Sequence, residues 1–127
     1  GKIGGPVPWS VYYAVPEFIN RSDKPVTRFA RAIQNSLDWI HSHEPGDISN
    51  VIQHRFPDTT LSILTRSIKR LHCDNMWAES IKIPEKSFNR YQGMIANYGL
   101  INQPFKISEV VNVNIAEEIC KPHEFSR

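Results

Sequence analysis

The stretch PVTRFARAIQNSLDWI, from Pro25 to Ile40, decides the fold of this chain. Its apolar residues recur three or four positions apart, so that they share one face of a helix. They are Val26, Phe29, Ala30, Ile33, Leu37 and Ile40. Pro25 suits a first helical turn, where its missing N–H donor would be unsatisfied in any case. The pattern predicts an amphipathic helix from Pro25 to about His43, broken at Glu44-Pro45-Gly46.

Two further helices are predicted directly downstream. The first carries apolar residues on one side and ends near Phe56-Pro57; these residues are Ile48, Val51 and Ile52. Asp58 is a favourable N-cap for the next helix, because its carboxylate can accept a backbone N–H. The apolar stripe of that helix consists of Leu61, Leu64, Ile68 and Leu71.

The last third of the chain predicts one more long helix and a short one. After an irregular segment from Asp74 to Lys82, a helix begins near Pro84, with Phe88, Tyr91, Met94, Ile95 and Tyr98 facing inward. Gly99 falls where a left-handed helix stop is expected. Lys106 to Val113 suits either a helical turn or a short strand, and Asn114 is expected to cap a brief helix through Ile119.

The N-terminal part reads differently. Residues 1–8 are rich in Gly and Pro and predict an irregular lead-in, whereas Ser10 to Val15 is rich in Val and Tyr and predicts a short strand that Pro16 ends. A helical turn from Pro16 to Asn20 follows. We therefore expect a mainly α chain, with four to five helices and one or two short strands. Its parts are residues 1–24 (lead-in, strand and turn), 25–119 (helical segment) and 120–127 (polar tail).

Composition limits the partners of the chain. Its 127 residues suit one domain, and a net charge of +2 with scattered charges gives no case for nucleic acid. No stretch approaches the roughly 20 apolar residues of a membrane span, and the N-terminus does not resemble a signal peptide. The mature chain begins here, or its start has been removed. Cys73 and Cys120 fit no metal spacing, which favours two buried thiols over the alternative of a disulfide.

No pattern for catalysis, a metal or a cofactor is present. The spacing of the five histidines matches no zinc site, and neither a GxSxG turn nor a phosphate-binding glycine loop occurs. Arg66, Lys69 and Arg70 form a basic edge, which we interpret as a solvated helix face because a DNA reader would show a larger positive excess. The sequence therefore predicts no enzyme, no metal and no cofactor.

The best ligand-binding candidates are Trp9, Ser10 and Tyr12, because aromatic walls with a few hydroxyls suit a small polar solute. Core packing is an equal alternative for Tyr12 and Tyr13, which alternate sides of the predicted strand. Trp39 and Trp77 are interpreted as packing residues.

The order of these segments resembles solute-binding proteins of ABC transporters, of the nitrate, sulfonate, taurine and thiamine-precursor class. The matching segments are WSVYYAVPEFI, VTRFARAIQNSLDWI, the Glu44-Pro45 turn, Trp77, IPEKSFNRY, NYGLI and VVNVNIAEE. The resemblance implies the α/β two-lobed fold of periplasmic binding protein type II, with the ligand in the cleft and Trp9 near it. Such proteins are usually about twice as long. The chain is therefore expected to be a C-terminal part, without the start of its lobe, the second lobe or an export signal.

The resemblance also implies a function. It is non-catalytic binding of a small organic or oxyanion solute, followed by docking on an ABC permease in the periplasm or another extracytoplasmic space. One alternative is an enzyme like those of thiamine-pyrimidine synthesis, and another is a free-standing helical interaction module. Exposed strand edges and apolar helix faces also predict self-association of the isolated chain.

Overall fold

The computed structural model describes residues 5–8, 10–21 and 23–120, and this part of the chain is mainly helical, which confirms the predicted fold class. Its α-helices are α1 (Pro16–Arg21), α2 (Asp23–Ser42), α3 (Pro45–Ile52), α4 (Leu61–Cys73), α5 (Glu85–Asn97), α6 (Ile107–Val110) and α7 (Val113–Ile119). A 3₁₀ turn, Gln53–Arg55, follows α3. Among the helices described, none has the length and apolar character that crossing a membrane requires.

The chain divides into two compact units. The central unit is Arg31–Ile81, and the terminal unit combines Gly1–Ala30 with Lys82–Arg127. The helix predicted from Pro25 is confirmed as α2, which begins two residues earlier and ends at Ser42. On its apolar face Ile33, Leu37 and Ile40 are half-buried, as the spacing predicted, whereas Phe29 is largely exposed.

The core of the central unit lies where α3 packs against α4. Ile48 from α3 meets the stripe of α4, in which Leu64 and Ile68 are buried. Ser49 is fully buried at this crossing, and its hydroxyl donates to the Pro45 carbonyl oxygen at 2.5 Å, so its polar atom is satisfied inside the helix. The close approach of the two helices thus depends on a small, internally bonded residue.

Two predicted core positions of the central unit are wrong. Val51 and Leu61 were expected to face inward, but both are largely exposed. Val51 lies in the last turn of α3 and Leu61 is the first residue of α4, so both lie at helix ends, beside the connection between the two helices. The spacing of apolar residues does not show where a helix ends, so it cannot show which of them lie outside the contact with the neighbouring helix.

The connection between α3 and α4 is held by one glutamine. Gln53 Nε2 donates to the Thr59 carbonyl oxygen at 2.8 Å and to that of Phe56 at 3.3 Å. A side-chain amide can satisfy backbone groups that a turn leaves unpaired. The 3₁₀ turn and the loop after it are therefore closed onto the end of α3.

The predicted N-cap of α4 is wrong. Helix α4 begins at Leu61, and its N-cap is Thr60, whose Oγ1 accepts from the Ile63 N–H at 3.4 Å. Asp58 lies in the preceding turn and is exposed. The extra turn between the proline and the helix shifts the cap by two residues, which the residue type at position 58 did not reveal.

Replacing Thr60 by alanine is expected to destabilise the central unit by about 0.5 to 1 kcal/mol, the lower part of the N-cap range, because its hydrogen bond is long. Asp58→Ala is the matched control and is expected to change the free energy of unfolding by less than about 0.5 kcal/mol, as for other surface sites. Urea unfolding of both variants measures the difference. A larger loss from Asp58→Ala would restore Asp58 as the cap.

The terminal unit is built around α5, which packs against α6. Phe88 and Ser87 are buried in its first turn, and Gln92 is buried one turn later. Gln92 binds the loop before α6 twice: its Nε2 donates to the Phe105 carbonyl oxygen at 2.7 Å, and its Oε1 accepts from the Phe105 N–H at 2.6 Å. One side chain thereby pairs with both backbone groups of a loop residue, as a neighbouring strand would.

The end of α5 follows the prediction at Gly99, which has a φ of 70°. The Leu100 N–H bonds to the Ile95 carbonyl oxygen and the Gly99 N–H to that of Ala96, both at 2.9 Å, which is the Schellman motif. Tyr91, Met94 and Tyr98 were predicted to face inward, but they are 36%, 42% and 81% exposed. Tyr98 lies beyond the last helical residue, Asn97, so the helical spacing no longer directs its side chain.

The sequence left open whether Lys106 to Val113 contains a helical turn or a short strand. It contains a single helical turn, α6, and no strand. The last helix, α7, begins at Val113 and has Asn112 as its N-cap residue, so the predicted cap at Asn114 is wrong by two positions.

The predicted short strand at Ser10–Val15 is also wrong. This segment is irregular and exposed, and the residues that the structure describes contain no strand. A strand is defined by hydrogen bonds to a neighbour, and Val- and Tyr-rich composition cannot supply that neighbour. The helical turn predicted after it is confirmed as α1.

Candidate functional site

The residues predicted to bind ligand are not gathered into an enclosed site in the described structure. Trp9 lies outside the described residues. Ser10 is exposed, and 75% of Tyr12 is exposed, with its ring edge-on to Phe29 at a centroid distance of 4.9 Å. Their role in binding remains a prediction.

Exposed apolar side chains are concentrated in the sequence around this position. We call residues 11–18 the N-terminal apolar segment; its large exposed side chains are Val11, Tyr12, Tyr13, Val15 and Phe18. Tyr13 is 96% exposed, although aromatic side chains usually bury most of their surface. Contiguous exposed apolar residues are typical of surfaces that pack against another protein or another part of the same one.

An open cavity of about 150 Å³ lies in the central unit, lined by His41, Leu71, His72, Asn75 and Trp77. Two separate regions of the chain contribute to it: the last turn of α2, and the last turn of α4 with the irregular segment that directly follows. The lining consists of two imidazoles, an amide, an indole and a leucine side chain. The cavity can therefore offer hydrogen bonds, ring contacts and apolar contacts.

Two hydrogen bonds hold the irregular segment against α2. His41 Nε2 lies 2.9 Å from the Ala78 carbonyl oxygen, and the Ile81 N–H donates to Gln34 Oε1 at 2.9 Å. Because a carbonyl oxygen only accepts, the hydrogen of this bond belongs to His41 Nε2. The bond from His41 to Ala78 thus fixes one wall of the cavity. It also means that, when the His41 imidazole is neutral, its hydrogen is on Nε2.

The second histidine is placed differently. The His72 ring meets Trp77 edge-on, at a centroid distance of 4.9 Å and an interplanar angle of 87°. Its Nε2 is buried, and no hydrogen-bond partner for it occurs in the described part of the chain. Buried polar atoms are usually hydrogen-bonded, so a ring nitrogen without a partner is unusual.

Asn75 completes the wall after α4. Its φ of 49° is in the left-handed region, which Asn tolerates better than most residues. The Met76 N–H bonds to the Leu71 carbonyl oxygen and the Asn75 N–H to that of His72, both at 3.0 Å, so α4 also ends in a Schellman motif. This turn directs the chain from Leu71 and His72 back to Trp77.

The other sites considered from sequence have structural roles or none. His43 donates from Nδ1 to the Trp39 carbonyl oxygen at 2.7 Å and stacks on the Trp39 ring, so Trp39 packs as predicted. Trp77 also packs against a histidine, His72, but edge-on. Within the described ranges, no group of three His, Cys, Asp or Glu side chains can hold a metal ion. His123 lies outside those ranges.

The prediction for Cys73 is wrong, and the prediction for the basic edge of α4 is confirmed. Cys73 was expected to be buried, but it is exposed on the last turn of α4; Cys120 is half-buried, and neither forms a disulfide. The basic edge of α4 is exposed, as predicted, and Arg70 forms a surface ion pair with Asp74 at 3.6 Å.

Comparison with known proteins gives one relevant similarity. No family model and no solved structure matches the chain. The chain is 24% identical over 119 residues to a protein of Bacillus subtilis (strain 168) named "Putative binding protein YtlA". The alignment covers 94% of this chain and 36% of that relative, so the chain spans little more than a third of the relative's length. The chain is thus similar to a protein named for binding.

Proposed function

We propose that this chain is part of a non-catalytic solute-binding component of an ABC uptake transporter, for a small organic or oxyanion solute of the nitrate, sulfonate, taurine or thiamine-precursor class. The observation that carries this proposal is the similarity, over nearly the whole chain, to a longer protein named a binding protein. The order of segments from WSVYYAVPEFI to VVNVNIAEE, described above, supports the same class.

The proposed mechanism is closure of two lobes around the solute, followed by docking of the closed form on a permease at the outer side of the membrane. Closure acts as a population shift, because only a ligand that contacts both lobes favours the closed state. In this scheme the described helices form part of one lobe. Solute binding then requires residues of the longer protein as well as those of this chain.

The N-terminal apolar segment supports this interpretation. Tyr12, Tyr13 and Val15 are largely exposed, and their side chains are of types that pack well on a pleated sheet surface. In a longer protein, further residues of the same chain would cover these side chains. Trp9, Ser10 and Tyr12 would then lie at the edge of the solute cleft.

The test compares the full-length product of the coding sequence with the 127-residue chain. Calorimetry with nitrate, taurine, alkylsulfonates and a thiamine-pyrimidine precursor is expected to give micromolar binding of at least one solute to the full-length product only. At a ligand concentration of 100 times Kd, that product should gain about 2.7 kcal/mol in stability, which a thermal-shift assay detects.

Three outcomes would contradict the proposal. Micromolar solute binding by a verified monomer of the 127-residue chain would show that a second lobe is not needed. Iron-dependent turnover of a pyrimidine precursor by the full-length product would favour the enzyme alternative. A full-length product that binds no solute, but captures a defined protein through the N-terminal apolar segment, would favour the interaction module.

A further inference from the structure

We propose that the cavity at the end of α4 binds a small, planar, uncharged solute, which hydrogen-bonds to His72 Nε2 and packs against Trp77. All of its lining residues belong to the central unit. The proposal is therefore independent of the transport function and of any second lobe.

The size of the cavity suits a solute with about one ring inside it. Its volume of about 150 Å³ is similar to that of an enclosed apolar cavity that binds benzene, and because this cavity is open, the volume describes only the part of the solute that lies inside it. The Leu71 side chain and the Trp77 indole supply apolar surface, whereas His41, His72 and Asn75 supply polar groups. A planar ring with one polar edge matches this combination better than a wholly apolar ring or a flexible chain does.

The unpaired nitrogen of His72 favours ligands that can hydrogen-bond to it over ligands that cannot. A buried polar atom without a partner is unfavourable, and a ligand that supplies the missing partner recovers that loss. Because Nε2 is itself buried, the His72 ring has to turn against Trp77, which it contacts edge-on, before a ligand can reach this nitrogen. Binding is therefore expected to change the environment of both rings together.

Uncharged ligands are favoured because the lining carries no carboxylate, lysine or arginine. The Arg70–Asp74 pair lies outside the lining and is already paired at the surface. The backbone around the cavity is fixed before binding, through the Schellman turn at Asn75 and the bond from His41 to Ala78, so that only the His72 ring has to move. A site whose backbone is already in place loses little affinity to ordering of its own residues.

Phenol and benzene are suitable probes, because they share a ring and differ in one hydrogen-bonding group. We expect phenol to bind the full 127-residue chain with a Kd of about 1 mM, in the range for so small a ligand. Benzene should bind about 10-fold more weakly, which corresponds to one hydrogen bond. Heteronuclear NMR titration of ¹⁵N-labelled chain measures both, with shifts expected at the end of α4, at Ala78 and at the Trp77 indole.

His72→Phe keeps a ring at this position but removes both nitrogens, so it should abolish the difference between the two probes. His54→Phe is the matched control: His54 is exposed, lies outside the cavity and bonds to the Val51 carbonyl, and this variant should keep the 10-fold preference. If His72→Phe does not fold, Asn75→Gly serves instead. Glycine accepts the left-handed φ but removes the amide from the wall, and phenol should bind at least 3-fold more weakly.

Several results would overturn the proposal. One is that the shifts caused by phenol are spread over exposed aromatic residues such as Tyr12 and Tyr98. Another is that His72→Phe keeps the 10-fold preference for phenol over benzene. A third is that the cavity is occupied by water alone. Unchanged phenol affinity in Asn75→Gly would also contradict it. Solute binding by the full-length product is measured separately, so failure at this cavity and failure of the transport function can be told apart.

Discussion

Replacing Ile68 by alanine is expected to destabilise the central unit by about 2 to 4 kcal/mol. Ile68 is 4% exposed and lies with Leu64 at the packing of α4 against α3. Truncation removes the transfer free energy of the buried methyl groups and leaves a cavity that the helices cannot fully close. The effect should be large because so few apolar residues form this core; in the described residues of the central unit the buried ones are Ile48, Leu64 and Ile68.

Urea unfolding followed by tryptophan fluorescence measures this loss, in a Trp9→Phe background so that Trp39 and Trp77 report on the central unit. Ile63→Ala is the matched control, because Ile63 lies on the same helix and is 47% exposed. It is expected to cost less than about 1 kcal/mol, since its methyl groups already contact water. Equal losses at the two positions would show that α4 packs through a different face.

Replacing Gln92 by alanine is expected to destabilise the terminal unit by about 1.5 to 3 kcal/mol. Each lost hydrogen bond costs about 1 kcal/mol, and the cost is higher if a backbone group of Phe105 stays buried without a partner. Gln92 is 4% exposed, and both of its bonds go to the backbone of Phe105. Without them the loop before α6 has neither of the bonds that attach it to α5. The loop should then open before the helix unfolds.

Amide hydrogen exchange separates these effects, because the Phe105 N–H should lose its protection in Gln92→Ala while amides in the middle of α5 lose less. Gln103→Ala, an exposed glutamine in the same loop, should leave both unchanged. Slow exchange of the Phe105 amide in Gln92→Ala would mean that other contacts hold the loop.

The sequence was sufficient where a helix is long and its apolar face continuous. Helix α2 was predicted from the spacing of Val26 through Ile40, and the stop of α5 from Gly99, because both signals are local. The second Schellman motif was missed, since Asn75 is a less specific signal than glycine. Cap positions failed by two residues at Thr60 and Asn112, because more than one residue near each helix start is of a type that caps helices: Asp58, Thr59 and Thr60 in one case, Asn112 and Asn114 in the other.

The prediction of a strand at Ser10–Val15 failed because a strand depends on a neighbour that residue type does not reveal. The prediction that Tyr98 faces inward failed because the helix ends one residue before it. The cavity was also missed. His41, His72 and Trp77 share no spacing pattern, and only the turn at Asn75, together with the bond from His41 to Ala78, brings them together.

Three loops of this chain are attached by glutamine side chains: Gln34 to Ile81, Gln53 to Thr59 and Gln92 to Phe105. A carboxamide does not ionise in the range in which carboxylates and imidazoles titrate, and counter-ions do not screen its hydrogen bonds as they screen ion pairs. These attachments are therefore expected to persist in acid and in concentrated salt. Under the same conditions, a surface pair such as Arg70–Asp74 contributes nothing, so the loop geometry of this chain should be largely independent of its ionic surroundings.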